Sequence, residues 1–395
     1  MKYDFDQKIE RTGTSCSKWD SEESYRTGKV IPMWVADMDF PVPEPVIESI
    51  RKRAEHPVMG YVWRDRSFAE ITAEWMRRRH GWKAEPEWVA FCPGIVPALS
   101  AAVQAFTEPG EAVMIQSPVY YPFSDTIRAC SRKVADNPVI RRENGRYEMD
   151  LEDMERKIKR DHVKLLLFCN PHNPVGRVYT EEELRKMGEI CVKNKVRIFS
   201  DEIHSDLIMT GHRHIPLASL SEDLSRITMT GVSPSKTFNL AGLQTAAVIC
   251  EDPEMKEKFE RIITMNSMQF CNVFGLEAYK AAYTKGEEYL EQLLGYLEGN
   301  LRYCREFFKE HLRPLTLTEL EGTYLLWIDC RSLKMSGEQL DGFMRDRAHI
   351  ALDSGHWFGP MGEGFMRMNL ACPRETLAQA LGQLEKAVEE WAYTV

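Results

Sequence analysis

The sequence lacks the paired cysteines of a metal knuckle. Its ten cysteines are scattered from Cys16 to Cys372, and none stands in a Cys-x-x-Cys pair. Many lie in apolar runs, which points to buried free thiols in a reducing cytosol and to a cytoplasmic protein without a metal site. The sequence also lacks any run of about 18 apolar residues, so no membrane-spanning helix and no membrane partner are expected. The start, Met1 to Asp6, is polar and acidic and has no apolar stretch of a secretory signal. Positive charge is not in excess. Against 51 Lys and Arg stand 60 Asp and Glu, a net charge of -9 with the signs interspersed, so neither a nucleic-acid surface nor an acidic tail is indicated. Repeats and low-complexity segments are missing too. The remainder is ordinary globular composition, 43% hydrophobic and 28% charged over 395 residues. That length suggests two or three domains at roughly 100–200 residues each.

The middle of the chain alternates short apolar runs with amphipathic stretches. Residues 112–116, 163–169, 196–200, 227–230 and 245–250 read as strands, and 95–106, 151–159 and 181–193 as helices. Thr180 before Glu181-Glu182-Glu183 reads as a helix N-cap with acids in the first turn, where they complement the helix dipole. Continuous Val/Ile/Leu runs alternating with helices predict an α/β fold whose sheet is mostly parallel and covered on both faces. After about residue 285 the pattern changes to a long helix at 287–312, apolar runs at 323–328 and 365–370, and helices at 337–346 and 374–391. These predict a smaller α+β domain. The chain therefore divides into an N-terminal arm at 1–45, a large domain at 46–285 and a small C-terminal domain at 286–395. The arm has few periodic features and is expected to wrap on the small domain or on a neighbouring subunit.

The most informative stretch is Ser233-Pro234-Ser235-Lys236-Thr237-Phe238-Asn239-Leu240-Ala241-Gly242-Leu243. Most lysines in such a place are plain loop residues. Two hydroxyls just before this one, Ser233 and Ser235, change the reading: they can bind phosphate oxygens while Lys236 points at an aldehyde carbon. A lysine amine forms a Schiff base with a carbonyl when its surroundings favour the neutral form. Further upstream, Pro93-Gly94-Ile95-Val96 opens a helix, whose first backbone N–H groups can cradle a phosphate. Arg367 stands in an otherwise apolar run, and an arginine there is costly without an anion partner.

Ser-x-Ser-Lys followed by Gly resembles the lysine motif of fold-type I pyridoxal 5′-phosphate (PLP) enzymes, and further motifs occur in that family's order. The resemblance implies an aspartate-aminotransferase-like α/β fold with a large, mostly parallel seven-stranded sheet domain and a smaller α+β C-terminal domain. It implies PLP as cofactor, bound by Lys236 as a Schiff base. Asp201, in Asp201-Glu202-Ile203-His204, matches the carboxylate that pairs with the pyridine nitrogen and keeps the ring electron-withdrawing. Asn173, in Asn170-Pro171-His172-Asn173-Pro174-Val175-Gly176, matches the residue that bonds the cofactor's phenolic oxygen. Tyr120 matches the aromatic that stacks on the ring, with Tyr121 beside it toward the substrate. The N–H groups of Gly94, Ile95 and Val96 would hold the phosphate. Tyr61 would reach the phosphate of a partner subunit, which makes the protein a homodimer with shared active sites. Arg367, with its bidentate guanidinium, matches the clamp on the substrate carboxylate. Two departures stand out. His204 occupies a place where aminotransferases often carry Tyr, so it either supports Asp201 or is a satisfied core histidine. Gln244 replaces a phosphate-binding Arg, which argues against an ordinary aspartate aminotransferase.

The cofactor motifs do not separate transamination from elimination. Other blocks do: Tyr3-Asp4-Phe5-Asp6, Lys18-Trp19-Asp20 and Met33-Trp34-Val35-Ala36-Asp37-Met38-Asp39-Phe40 resemble the MalY/PatB group of carbon–sulfur lyases. In that group the backbone near Val35 and Ala36 would lie by the substrate carboxylate. The resemblance runs from about residue 3 to Pro373. It implies a cystathionine β-lyase or cysteine desulfhydrase activity on a small amino-acid substrate, with Lys236 as acid and base. Two rivals stay open: an aminotransferase on the same fold, and a protein that acts mainly by binding a regulatory partner.

Overall fold

The computed structural model describes residues 3–392. Met1 and Lys2 of the polar start, and the last three positions of the 286–395 segment, lie outside the described residues. Seven strands form the larger sheet: β1 (Val89–Cys92), β2 (Ala112–Ile115), β3 (Lys133–Asp136), β4 (Leu165–Cys169), β5 (Arg197–Asp201), β6 (Thr228–Val232) and β7 (Ala246–Ile249). Their spatial order is β1-β7-β6-β5-β4-β2-β3. Strand β7 is antiparallel to both neighbours and the other pairs are parallel, as the alternation of runs and helices predicts.

Alternation along each strand sends side chains to opposite faces. Val113, Leu165, Leu167 and Phe199 pack with Leu99 and Val103 of the helix Ile95–Phe106. Met114, Leu166, Phe168 and Ile198 pack on the other face with the helices Leu151–Asp161 and Glu181–Asn194. Both faces are apolar, which is why these strands read as unbroken hydrophobic runs. Thr180 closes a full capping box with Glu183. Gly231 in β6 faces the start of the helix Ile95–Phe106; a Cβ there would stand 3.0 Å from the Phe199 ring and 3.1 Å from Ile95 Cδ1.

A second sheet contains β8 (Thr316–Leu317), β9 (Leu325–Asp329), β10 (Asp353–Ser354) and β11 (Phe365–Asn369), in the order β8-β9-β11-β10 and antiparallel throughout. The helices Glu287–His311 and Arg374–Ala392 pack against it. The helix expected over 337–346 changes form: an α-helix ends at Gly342, and Phe343–Arg347 continues as a π-turn. The strand expected at 227–230 begins at Thr228 and runs on to Val232, because Ile227 closes the short helix Glu222–Ile227. Among the described residues no helix is long and apolar enough to cross a membrane.

The N-terminal arm has little secondary structure and is held by side chains. Ile31–Pro32 pairs in parallel with Ile350–Ala351. Asn369 donates to the carbonyls of Val35 and Asp37, and Asn239 accepts from the Met38 N–H and donates to the carbonyls of Met38 and Phe40. Asp39 anchors the rest: it accepts from Lys18 at 2.7 Å, from the Trp19 indole at 3.1 Å and from Arg11. Asp20 in turn accepts from the N–H groups of Gly13, Thr14 and Cys16. The Lys18-Trp19-Asp20 triplet and the Met33-to-Phe40 block thus form one structural unit.

Lys18 is 1% exposed. Removing its nearer carboxylate by Asp39→Ala, which leaves Asp37 at 3.9 Å, is expected to cost roughly 3 kcal/mol, the lower end of the penalty for a buried charge that loses its partner. Urea unfolding measures it, and an unchanged midpoint would show the network to be idle. Burial raises the Asp39 carboxyl, but Lys18 and Arg11 outweigh it and hold the group below its ordinary value. This contribution is present above the unfolded carboxylate range and is lost as pH falls through the lowered value.

Candidate active site

Strands β1, β2, β4, β5 and β6 end at one edge of the large sheet, and each leads into one of the motifs. Pro93-Gly94 follows β1, Ser117 to Tyr121 follow β2, Asn170 to Gly176 follow β4, His204 follows Asp201 at the end of β5, and Ser233 to Lys236 follow β6. Crevices beyond the carboxyl ends of strands are where such sheets bind ligands.

Lys236 sits in the short helix Pro234–Thr237. Ser233 caps that helix: its hydroxyl accepts from the Ser235 N–H at 3.1 Å and donates to the Thr245 carbonyl at 2.9 Å. The Ser233 proton is therefore committed within the fold, and Ser235 is the hydroxyl left beside the lysine. Thr237, on the other side, donates to the buried Asp206 at 2.8 Å. The Lys236 amine donates to the Ala36 carbonyl at 2.7 Å, and the Tyr324 phenol donates to the same oxygen at 2.9 Å. Burial, and then the positive charge of Arg367, lower the Lys236 pKa to about 8 against the pull of Asp37 and Asp201. Lys236, Ala36 and Asn239 also line a cavity of about 640 Å³.

Asp201 is 6% exposed and accepts from the Ile203 N–H at 3.1 Å. Burial raises its pKa to about 7, although that bond and Lys236 oppose the shift. A carboxylate so placed calls for a cationic N–H partner, which would restore its ionised form. His204 is buried with Nδ1 unpartnered. Burial, with Lys236 and Arg367 nearby, holds its pKa well below the ordinary value and keeps the ring neutral. Its ring stands edge-on to Tyr324, 5.9 Å between centroids.

Arg367 in β11 is 2% exposed. The anion partner that its burial demands lies within the chain: it pairs with Asp353 of β10, the residue opposite it in the ladder. It also donates to Asn173 Oδ1 at 2.9 Å and to the Trp34 carbonyl at 3.1 Å, which leaves Nε unpartnered. Asn173 accepts the Tyr120 N–H at 3.1 Å through its backbone. Gly176 makes the turn behind it at φ +74°, where a Cβ would stand 2.7 Å from Leu320 Cδ1. The Tyr120 and Tyr121 rings are 5.1 Å apart, and Tyr121 packs on Phe358 at 5.9 Å. Burial, then Tyr121, raise the Tyr120 pKa to about 12, so the phenol keeps its proton.

Gly94, extended at φ 166°, precedes the helix Ile95–Phe106, and no side chain caps that N-terminus. Tyr61 is 95% exposed and touches Phe270 at 5.7 Å, so among the described residues none of its own chain encloses it. Gln244, exposed, ends the short turn Ala241–Leu243. Sequence reasoning missed Tyr324, Asp353 and Asp206. Tyr324 and Asp353 stand in the C-terminal part of the chain without a motif around them, and only sheet pairing and turn geometry bring them to the site.

The donor set fits PLP. An amine of depressed basicity suits an aldehyde, a buried carboxylate suits a pyridine N–H, and an uncapped helix N-terminus suits a phosphate.

The chain is similar to known proteins over nearly its whole length. A family model described as aminotransferase class I and II matches residues 29–384. A protein of Bacillus subtilis (strain 168) named cystathionine beta-lyase PatB is 41% identical over 97% of this chain and 99% of its own. Among solved structures, a PLP-bound protein of Clostridium difficile 630, provisionally described as an aminotransferase, is 42% identical with a TM-score of 0.95, over 98% of this chain and 100% of that one. Cystalysin of Treponema denticola, which contains PLP, is 36% identical with a TM-score of 0.95, over 99% and 100%. With the family model matched over residues 29–384 and a relative 41% identical over 97% of the chain, the chain belongs to the aminotransferase class I and II family.

Proposed function

We propose that the protein is a PLP-dependent carbon–sulfur β-lyase that releases thiol, pyruvate and ammonia from an L-amino acid with sulfur on its β-carbon, cystathionine first among them. The observation that carries this reading is the end-to-end match with a named cystathionine beta-lyase. The geometry at Lys236 supports the amine chemistry that such a reaction needs.

Bound PLP supplies an electron sink for the charge left on the substrate α-carbon. The residues of the chain do the rest. Lys236 would hold the cofactor through its amine, and its free amine would take up the substrate α-proton. A pKa near 8 leaves an appreciable neutral fraction of that amine at neutral pH. Asp201 holds the ring nitrogen, Asn173 its phenolic oxygen, and Tyr120 offers the flat face. Ser235 and the N–H groups of Gly94, Ile95 and Val96 hold the phosphate, with Ser233 acting through the cap. Arg367, already oriented by Asp353, meets the substrate carboxylate with its free Nε, beside the backbone of Ala36. His204 supports the ring carboxylate from the protein side as a neutral imidazole.

The active unit is a homodimer. Tyr61, Trp63, Val58, Met59 and Phe270 are large apolar side chains left exposed near one another in sequence or contact, and a second copy of the chain would cover them. Tyr61 then reaches the partner's phosphate site. We also place the domain divisions near residues 45 and 285.

Purified protein with PLP is expected to form pyruvate from cystathionine. Rapid keto-acid-dependent amino transfer without pyruvate would instead establish an aminotransferase, the reading that the Clostridium structure's description favours. Lys236→Ala is expected to lose the borohydride-sensitive absorbance band and at least about a hundredfold in turnover, the lower range of a positioned acid and base. Asp201→Asn keeps the shape and removes the charge. It should retain bound cofactor yet lose roughly a hundredfold or more in kcat, as losses of preorganised electrostatic partners do. Unchanged kcat would remove Asp201 from the assignment.

A further inference from the structure

The Lys236 amine and the Tyr324 phenol converge on one acceptor, the Ala36 carbonyl, at 2.7 and 2.9 Å. The flanking carbonyls of Val35 and Asp37 are both taken by Asn369. Of these three, only Ala36 O faces the lysine. Tyr324 is itself held by the fold. It is fully buried, its carbonyl accepts the Leu370 N–H at 3.0 Å, and Thr323 before it donates to the Leu207 carbonyl at 2.7 Å. A buried phenol with a committed donor keeps its acceptor in place, because losing the bond would strand a polar group in the core.

We propose that Tyr324 is a positioning residue for the Lys236 amine: its phenol fixes the Ala36 carbonyl as the docking point to which the amine returns whenever it is not bonded to the cofactor aldehyde. The inference rests on the reading of Lys236 given above. The amine faces Asp37 from the arm, Asp201 and His204 from the end of β5 and the turn after it, Arg367 from β11 and Tyr324 from the turn before β9. Tyr324→Phe leaves every charge among them unchanged and keeps the ring packed on His204. It also frees the Ala36 oxygen to accept from the ammonium alone. A hydrogen bond to the charged form favours that form, so the amine becomes more basic.

The test uses the full chain stripped of PLP and then titrated. The rate at which the absorbance band of bound cofactor appears, followed against pH, reports the free amine. In Tyr324→Phe the midpoint of that profile is expected to rise by roughly half a pH unit or more, a small change in differential hydrogen bonding. Turnover of cystathionine should fall about tenfold in kcat, with KM changed less than about twofold, as for a group that acts on the proton-transfer step. Tyr289→Phe is the control. Its phenol donates to the Pro41 carbonyl at 2.9 Å, another bond from a buried tyrosine to the arm but away from Lys236. The profile of this control should match the parent. An unmoved midpoint in Tyr324→Phe, or the same shift in both variants, would overturn the assignment. Failure of the underlying reading looks different: Lys236→Ala would then keep the absorbance band and the turnover.

Discussion

The site depends on how a strip of irregular chain, residues 33–40, is held over the edge of the large sheet. This strip meets the Lys236 amine with a backbone carbonyl, and a loop can present a chosen carbonyl only if its neighbours are spoken for. Two asparagines do this from opposite sides. Asn239, three residues after Lys236, takes the N–H of Met38 and the carbonyls of Met38 and Phe40. Asn369, two residues after Arg367, takes the carbonyls of Val35 and Asp37. The two residues that matter most for chemistry are thus each followed by the side chain that positions the arm against them. The arm, the lysine turn and strand β11 form one mechanical unit.

Electrostatics pull the same site toward neutrality. Burial lowers the basicity of Lys236 and the acidity of Asp201, so an amine and a carboxyl that would be fully charged in water are drawn toward one another. Arg367 stands apart as a guanidinium, with Asp353 opposite it in the ladder and paired to it. The result is a polar pocket with one fixed cation and two adjustable groups, a combination suited to moving a proton without moving charge far.

Much of this was legible in the sequence, for specific reasons. Strands β2, β4, β5 and β7 and the helices Ile95–Phe106 and Glu181–Asn194 were legible because both faces of the sheet are dry and the periodicity is clean. Strand β3 was not, since Lys133-Val134-Ala135-Asp136 is an edge strand of mixed exposure. Strand β1 was not read either, and the helix Val273–Lys285 was hidden by apolar residues on most of its circumference. Lys236, Asp201, Asn173 and Tyr120 were legible because each sits in a local motif at a strand end. Ser233 was placed correctly beside the lysine, but its hydroxyl is used to cap the helix. For Arg367, the partner that its burial called for proved to be Asp353, fourteen residues away and without a motif.

The sequence by itself determined most of the strands and helices, the turn chemistry at strand ends and the lysine proposed as the reactive amine. All three are local properties, set by periodicity, capping and short motifs. Tertiary structure alone decided which carbonyl the amine meets, that Tyr324 and Asp353 belong at the site, and how far burial shifts Lys236 and Asp201. Those outcomes depend on contacts between residues up to about 330 positions apart, as between Trp34 and Arg367, and on a dielectric environment that no single segment carries.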